Sequence, residues 1–234
     1  MINESQHADQ CVQGEKNMAI QLFETRTANS NVRLRLAAGH FATNHSHTNY
    51  YIDLTLTKHR LSEAREAAAQ LAAAFSAEHA IDTILCLDGT EVLGACLASE
   101  LTRNGVANMN AHKTIYVVSP EYTARDILFR ENMVPMIYGK HVLVLADTVI
   151  TGNTSRAALE AIRYYGGKPV GVGTIFSCMD EVTKGDYSCP VHAIFTKQHD
   201  LPDFQYVSST DCPMCKQGRP LDAVVNAYGI SSLR

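Results

Sequence analysis

Four short apolar runs, TILCL (83–87), KTIYVVS (113–119), HVLVLA (141–146) and KPVGVGTIFS (168–177), constrain what this chain can fold into more than any other feature. None shows the strict apolar/polar alternation of a strand with one wet face, so they read as strands covered on both faces. Helix-period segments lie between and before them. LSEAREAAAQLAAAFSAEHA (61–80) carries apolar residues three and four apart among strong helix formers, with Ser62 as a possible N-cap. EVLGACLASELTRNG (91–105) ends on Gly105, and SRAALEAIRYYGG (155–167) closes on Gly166 and Gly167. Strands joined through helices imply right-handed crossovers and a doubly wound, mostly parallel α/β sheet flanked by helices.

Three segments follow from this pattern. Residues 1–15 have few large apolar groups and read as a disordered polar arm; 16–200 form the α/β domain; 201–234 form a C-terminal extension. Within the domain, NMAIQLFETRTA (17–28) is expected to be a first amphipathic helix. A net charge of −4 removes the electrostatic footprint of a nucleic-acid binder. No apolar run approaches the roughly 18 residues that cross a bilayer, and Met1 to Lys16 lacks the apolar core of a secretion signal, so a cytoplasmic location without membrane contact is expected. Seven cysteines, an odd number scattered through apparent core segments, suit reduced thiols.

The chemistry concentrates in HVLVLADTVITGNTSRAAL (141–159). A strand runs into Asp147, then a short polar loop, then a helix, and in open α/β sheets ligands bind outside such carboxyl ends. The backbone amides of Thr148, Val149, Ile150, Thr151, Gly152, Asn153 and Thr154, the threonine hydroxyls and the helix N-terminus suit a phosphate. Asp147 is placed to accept hydrogen bonds from sugar hydroxyls. From spacing alone, an ordinary strand-to-helix turn capped by Thr154 remains open.

VLVLADTVITGNTS (142–155) resembles the phosphoribosyl-diphosphate motif of type I phosphoribosyltransferases. LAAGHFATNHSHTNYYIDLTL (36–56) resembles the orotate-side segment of orotate phosphoribosyltransferases, and LDGTEVLGACLASEL (87–101) their pyrophosphate loop and helix. The resemblance implies Mg²⁺-dependent transfer of ribose 5-phosphate from phosphoribosyl diphosphate to a pyrimidine base, with pyrophosphate released, by a homodimer. It places Asp88, Gly89, Thr90 and Glu91 in the pyrophosphate loop, and Asn44, Tyr50 and Tyr51 at the base. Asp147, Arg125 and Arg130 become the candidate catalytic residues.

The sequence departs from the family at charged positions. Ala146 stands where the family carries an acid, and Asn44 and Leu93 stand where it carries lysines. The loop 120–140, rich in cations in the family, offers Arg125, Arg130 and Lys140. Because departing pyrophosphate must be neutralised, each missing cation could cost several kcal/mol of transition-state stabilisation, roughly ten- to thousand-fold in rate. The alternative reading is therefore a non-catalytic sensor that binds nucleotide or phosphoribosyl diphosphate.

Other motifs are weaker. Cys212 and Cys215 form a Cys-x-x-Cys that could supply two corners of a zinc site, with Cys178, Cys189, His192 and His199 as candidates for the rest. Two reduced thiols in a turn before a short helix is the preferred reading. His40, His45 and His47 read as a polar loop near the ligand, because no acid or cysteine completes a recognised ligand pattern. GVGTIF (171–176) opens no helix and fails as a dinucleotide fingerprint.

Overall fold

The computed structural model describes residues 20–25, 31–44, 46–75, 80–103, 110, 114–123, 126–185 and 187–233. The polar arm 1–15, His45 and Arg125 lie outside the described residues.

The chain opens with strands β1 (Phe23–Thr25), β2 (Leu34–Ala42) and β3 (His47–Asp53), followed by helices α1 (Thr55–His59) and α2 (Leu61–Phe75). Next come β4 (Thr83–Cys86), α3 (Glu91–Leu101), β5 (Tyr116–Val118) and a small hairpin of β6 (Glu121–Tyr122) and β7 (Ile127–Leu128). After a 3₁₀ turn at Val134–Met136, β8 (His141–Val149), α4 (Asn153–Tyr164) and β9 (Lys168–Ser177) complete the segment read from sequence as the phosphate site. The remainder is β10 (Glu181–Lys184), β11 (Tyr187–Thr196), α5 (Lys197–Asp200), β12 (Tyr206–Val207), α6 (Pro213–Lys216), β13 (Ala223–Asn226) and β14 (Gly229–Ser232).

Each of the four apolar runs contains a strand of one sheet, ordered β10-β11-β9-β8-β4-β5. Its pairings are parallel except for the β10–β11 edge, which is antiparallel. From β4 the chain steps outward to β5 and later returns through β8 on the other side, so the order reverses between β4 and β8. That reversal is where an open α/β sheet leaves a crevice. One face is covered by α2 and α3, whose Leu71, Phe75, Leu93 and Leu97 pack in one core with Leu143 and Leu145 of β8. The other is covered by α4, whose Ala158, Leu159 and Ile162 share a core with Val142, Val144 and Ala146. The alternation along β8 thus assigns odd and even positions to opposite faces. The glycines of GVG serve packing, since a Cβ on Gly171 would stand 2.9 Å from the Phe75 ring.

A second sheet, ordered β12-β3-β2-β13-β14, has β1 on β2 as well. The helix expected over 17–28 is corrected here: residues 23–25 are extended and pair antiparallel with β2, Phe23 opposite Leu36. Pairing with β2 outweighs the helical spacing of a segment whose Phe and Thr also favour strands. Arg35 of β2 fastens this sheet to α2 through paired hydrogen bonds to Glu63, at 2.8 and 3.0 Å. The described part of the C-terminal extension, 201–233, is built into the same sheet, β12 against β3 and β13 parallel to β2. No helix among the described residues is long and apolar enough to cross a membrane.

Candidate active site

A cleft of about 280 Å³ lies over the β4/β8 reversal, between the two sheets' facing loops. All seven residues of the loop 148–154 line it, together with Asp88 and Asp147. The loop is held open by Gly152, the residue preceding α4, in the left-handed region at φ +73°. A Cβ there would meet the Met179 sulfur at 3.0 Å, so the position favours glycine on both counts. The helix begins with its amides facing this loop, the arrangement that attracts an anion.

Asp147 emerges at the carboxyl end of β8 with one-eighth of its side chain exposed. Its Oδ1 accepts from the Thr148 amide at 2.6 Å. Its Oδ2 accepts from the Lys58 ammonium at 2.9 Å. Lys58, on α1, is itself buried, and it donates further to the carbonyl of Asp88 at 2.9 Å and to that of Ala227 at 2.8 Å. Its three protons are therefore all used, and three separate parts of the chain meet at one nitrogen. Sequence reasoning missed Lys58. A single lysine in TLTKH carries no motif, and its inward orientation follows from the way α1 packs against α2 and α3.

The pyrophosphate-loop candidates divide. Asp88 and Gly89 turn the chain out of β4 with φ of +56° and +78°, a left-handed pair that Asp and Gly tolerate better than other residues. Asp88 faces the cleft; Thr90 is fully buried, its hydroxyl donating to the carbonyls of Leu87 and Leu145; Glu91 opens α3 on the surface and accepts from Ser119. Burial and the neighbouring Asp147 carboxylate, partly offset by Lys58, push the Asp88 carboxyl up to about 6. On the β6–β7 hairpin Tyr122 is half exposed, and partial burial together with the carboxylates of Asp88, Asp147 and Glu91 pushes its hydroxyl upward.

Asn44, Tyr50 and Tyr51 all line the cleft, opposite the phosphate loop. Burial and the adjacent Asp53 carboxylate push the Tyr51 hydroxyl up to about 12. Arg130 is elsewhere. Its guanidinium forms a two-pronged pair with Glu121 across the surface hairpin, and it is absent from the cleft lining. Among the described lining residues Lys58 is the sole lysine or arginine. Ala146 is also outside the lining, 2% exposed within the core under α4.

The Cys-x-x-Cys and the histidines were read apart in the sequence and come together in the fold. Cys212 and Cys215 lie against His40 and His47, with one ligand atom from each within 4.8 Å of every other. Cys178, Cys189, His192 and His199 are not in that group. The polar-loop reading of His40 and His47 is corrected, because they lie on β2 and β3 and outside the cleft lining, beside thiols from some 170 residues further along the chain.

No family model matches the chain. Relatives named orotate phosphoribosyltransferase are 36% identical over 83 residues in Caldanaerobacter subterraneus and 32% identical over 115 residues in Thermotoga maritima. These matches take in 36% and 46% of this chain and span 40% and 58% of those relatives' lengths. Another of the same name in Pelotomaculum thermopropionicum is 27% identical over 187 residues, 79% of this chain and 87% of that protein. In structure, the chain superimposes on Leishmania donovani UMP synthase with a TM-score of 0.51 at 18% identity, over 79% of this chain and 36% of that one. The fold is that of the type I phosphoribosyltransferases. Within that class, the chain is similar in sequence to the orotate phosphoribosyltransferases.

Proposed function

We propose that this chain is an orotate-type phosphoribosyltransferase, transferring ribose 5-phosphate from phosphoribosyl diphosphate to a pyrimidine base and releasing pyrophosphate. The observation that carries the reading is one cleft, at the sheet's reversal, that joins the 148–154 loop, Asp147, Asp88 and the Tyr50 side. The names of the sequence relatives support the same reaction class.

In this reading the loop amides and the α4 N-terminus hold the 5′-phosphate, and Asp147 accepts from the ribose hydroxyls. A carboxylate offers about four lone-pair sites, so Asp147 can take a hydroxyl while keeping Thr148 and Lys58. Tyr50 and Tyr51 present ring surface to a flat base. Lys58, its three protons committed to Asp147 and to the Asp88 and Ala227 carbonyls, orients the carboxylate that takes the ribose hydroxyls. The donor set at Asp88 and Asp147, hard carboxylate oxygens on a cleft wall, fits Mg²⁺ arriving with a diphosphate. Bound there, the ion would offset charge on the leaving pyrophosphate. A homodimer is part of the proposal, and light scattering giving a monomer at micromolar concentration would count against that part.

A second reading, a nucleotide-binding sensor without turnover, is favoured by Arg130 facing solvent and by the scarcity of cleft cations. One assay separates the two: pyrophosphate release from phosphoribosyl diphosphate with orotate and Mg²⁺. Turnover that falls at least about a hundredfold in Asp147→Asn supports the enzyme. Nucleotide binding with no release supports the sensor and sinks the enzyme.

A further inference from the structure

We propose that His40, His47, Cys212 and Cys215 form a structural zinc site that fixes the cleft's C-terminal wall to the β2–β3 pair. A tetrahedral ion with Zn–N bonds near ~2.0 Å and Zn–S bonds near ~2.3 Å sets its ligand atoms about 3.3–3.8 Å apart. Here His40 Nε2 lies 3.1 Å from His47 Nδ1, 3.4 Å from Cys212 Sγ and 3.6 Å from Cys215 Sγ, and Cys215 Sγ lies 3.3 Å from His47 Nδ1. Three of these four separations fall in that range and the fourth is about 0.2 Å short of it, while the two remaining pairs, Cys212 with Cys215 and Cys212 with His47, lie within 4.8 Å.

Hydrogen bonding alone does not account for the cluster. His40 Nδ1 faces the carbonyl of Arg219 at 2.9 Å and that of Pro220 at 3.3 Å. A carbonyl only accepts, so Nδ1 carries the proton and Nε2 presents its one lone pair to the cluster. Three groups approach that single lone pair, and one sp² lone pair serves one good donor. A cation at the centre satisfies all four ligand atoms at once. The carbonyl partner on Nδ1 is the outer support that metal-bound histidines usually have.

The backbone is shaped for this purpose. The β2–β3 register slips by one residue between Ala38 and Phe41, a bulge that aims His40 inward, where it is fully buried. Gly39 makes the bulge possible: a Cβ there would meet the Phe41 ring at 2.5 Å. Asp222 braces the bulge, its carboxylate accepting from the His40 amide while its own amide donates to the His40 carbonyl, each at 2.8 Å. On the other side Cys212 precedes the short helix α6 and Cys215 sits within it, a spacing that brings both sulfurs to one side.

Two sulfurs and two imidazole nitrogens in tetrahedral reach select zinc among the common divalent ions, and four protein ligands leave no position open for catalysis. Binding releases the two thiol protons, giving a centre of two thiolates, two neutral imidazoles and Zn²⁺ with no net charge. The segment so anchored continues into β13, whose Val225 and Asn226 line the cleft, and on to Ala227, which accepts from Lys58. The site stands independently of the proposed transferase activity, because its ligands are separate from the cleft residues.

The test is metal content of tag-free protein purified without chelator from zinc-supplemented medium. About one zinc per chain is expected, released by a thiol-blocking mercurial, lost in Cys215→Ser and kept in Cys178→Ser. As a second measurement that needs no variant, Co²⁺ added to the reduced, metal-stripped native protein should give sulfur-to-cobalt charge transfer and tetrahedral ligand-field bands. Native protein that carries no zinc and gives no such bands with Co²⁺ would overturn the proposal. So would equal zinc loss in Cys178→Ser and Cys215→Ser.

Discussion

Lys58 and Asp147 form the charged centre of the cleft, and their buried pairing makes each depend on the other. Asp88 adds a second carboxyl that forms no ion pair with a side-chain cation among the described residues. Its pKa of about 6 lies above the ordinary 3.8, so the folded state holds that proton more tightly than the unfolded chain. The stabilising effect is complete below the unfolded value and is lost as pH rises through about 6. Asp88→Asn, neutral at every pH and tolerant of the left-handed backbone, should therefore raise stability at pH 7.5 by an amount on the order of 1–3 kcal/mol. The gain should shrink toward zero as pH approaches 4. Denaturant midpoints at the two pH values, without added Mg²⁺, check this; a gain that is the same at both would refute it. The place of Asp147 at the cleft was legible because a strand delivered it to a glycine-containing loop. Lys58 was not, because only the tertiary path of α1 turns it inward.

At the scale of elements, β8 shows both what periodicity reveals and what it conceals. Its apolar run marks a central strand, and the strand continues to Val149, past the acid at 147. Alternation places Leu143, Leu145 and Asp147 toward one face and Val142, Val144 and Ala146 toward the other. Viewed only as a family motif, Ala146 is a missing acid whose return would tighten binding of phosphoribosyl diphosphate. In the fold its side chain is packed in the core under α4, at 2% exposure. Ala146→Asp should bury an unpaired charge and destabilise the protein by about 3 kcal/mol or more. Thermal denaturation measures this, and calorimetry with phosphoribosyl diphosphate and Mg²⁺ should show no tightening. Unchanged stability with tighter binding would mean that position 146 reaches the cleft. The failure at residues 23–25 has a different cause. A strand of three residues is too short to express a period, and its conformation comes from the β2 partner.

Over the whole molecule, sequence order and spatial order diverge most in the second sheet. Four strands of the parallel sheet, β4, β5, β8 and β9, were legible because each announces itself as a local apolar run and the helices between them are long, whereas β10 and β11 were not read. The joining of 201–234 to β2 and β3 was not, since nothing local says which edge a late strand will find. That joining brings Ala227 to Lys58 and thiols to His40 and His47. A chain ending after Asp222 keeps the bulge brace and the cysteines but loses β13, β14 and the Ala227 carbonyl. A charge-assisted hydrogen bond of this kind is worth about 1.5–3 kcal/mol, so such a chain should bind orotidine monophosphate roughly tenfold or more weakly. Titration calorimetry on the shortened and native chains decides it, and equal affinities would show that the wall contributes nothing.

The pairing of His40 with Asp222 joins positions 182 residues apart, and this separation has a consequence in time. At synthesis rates of about 5–20 residues per second, β13 reaches β2 on the order of 10–40 s after β2 has been made. β3 and β1 are available much earlier, one on each edge of β2, but β1 covers only Leu34–Leu36 and leaves Phe41 and Ala42 for β13. During that interval the growing chain presents an unsatisfied stretch of backbone beside an apolar face, the kind of edge that invites pairing with another chain. Newly made protein is thus most exposed to mispairing at the end of β2 that later carries His40, and a chaperone would be of most use to this chain there.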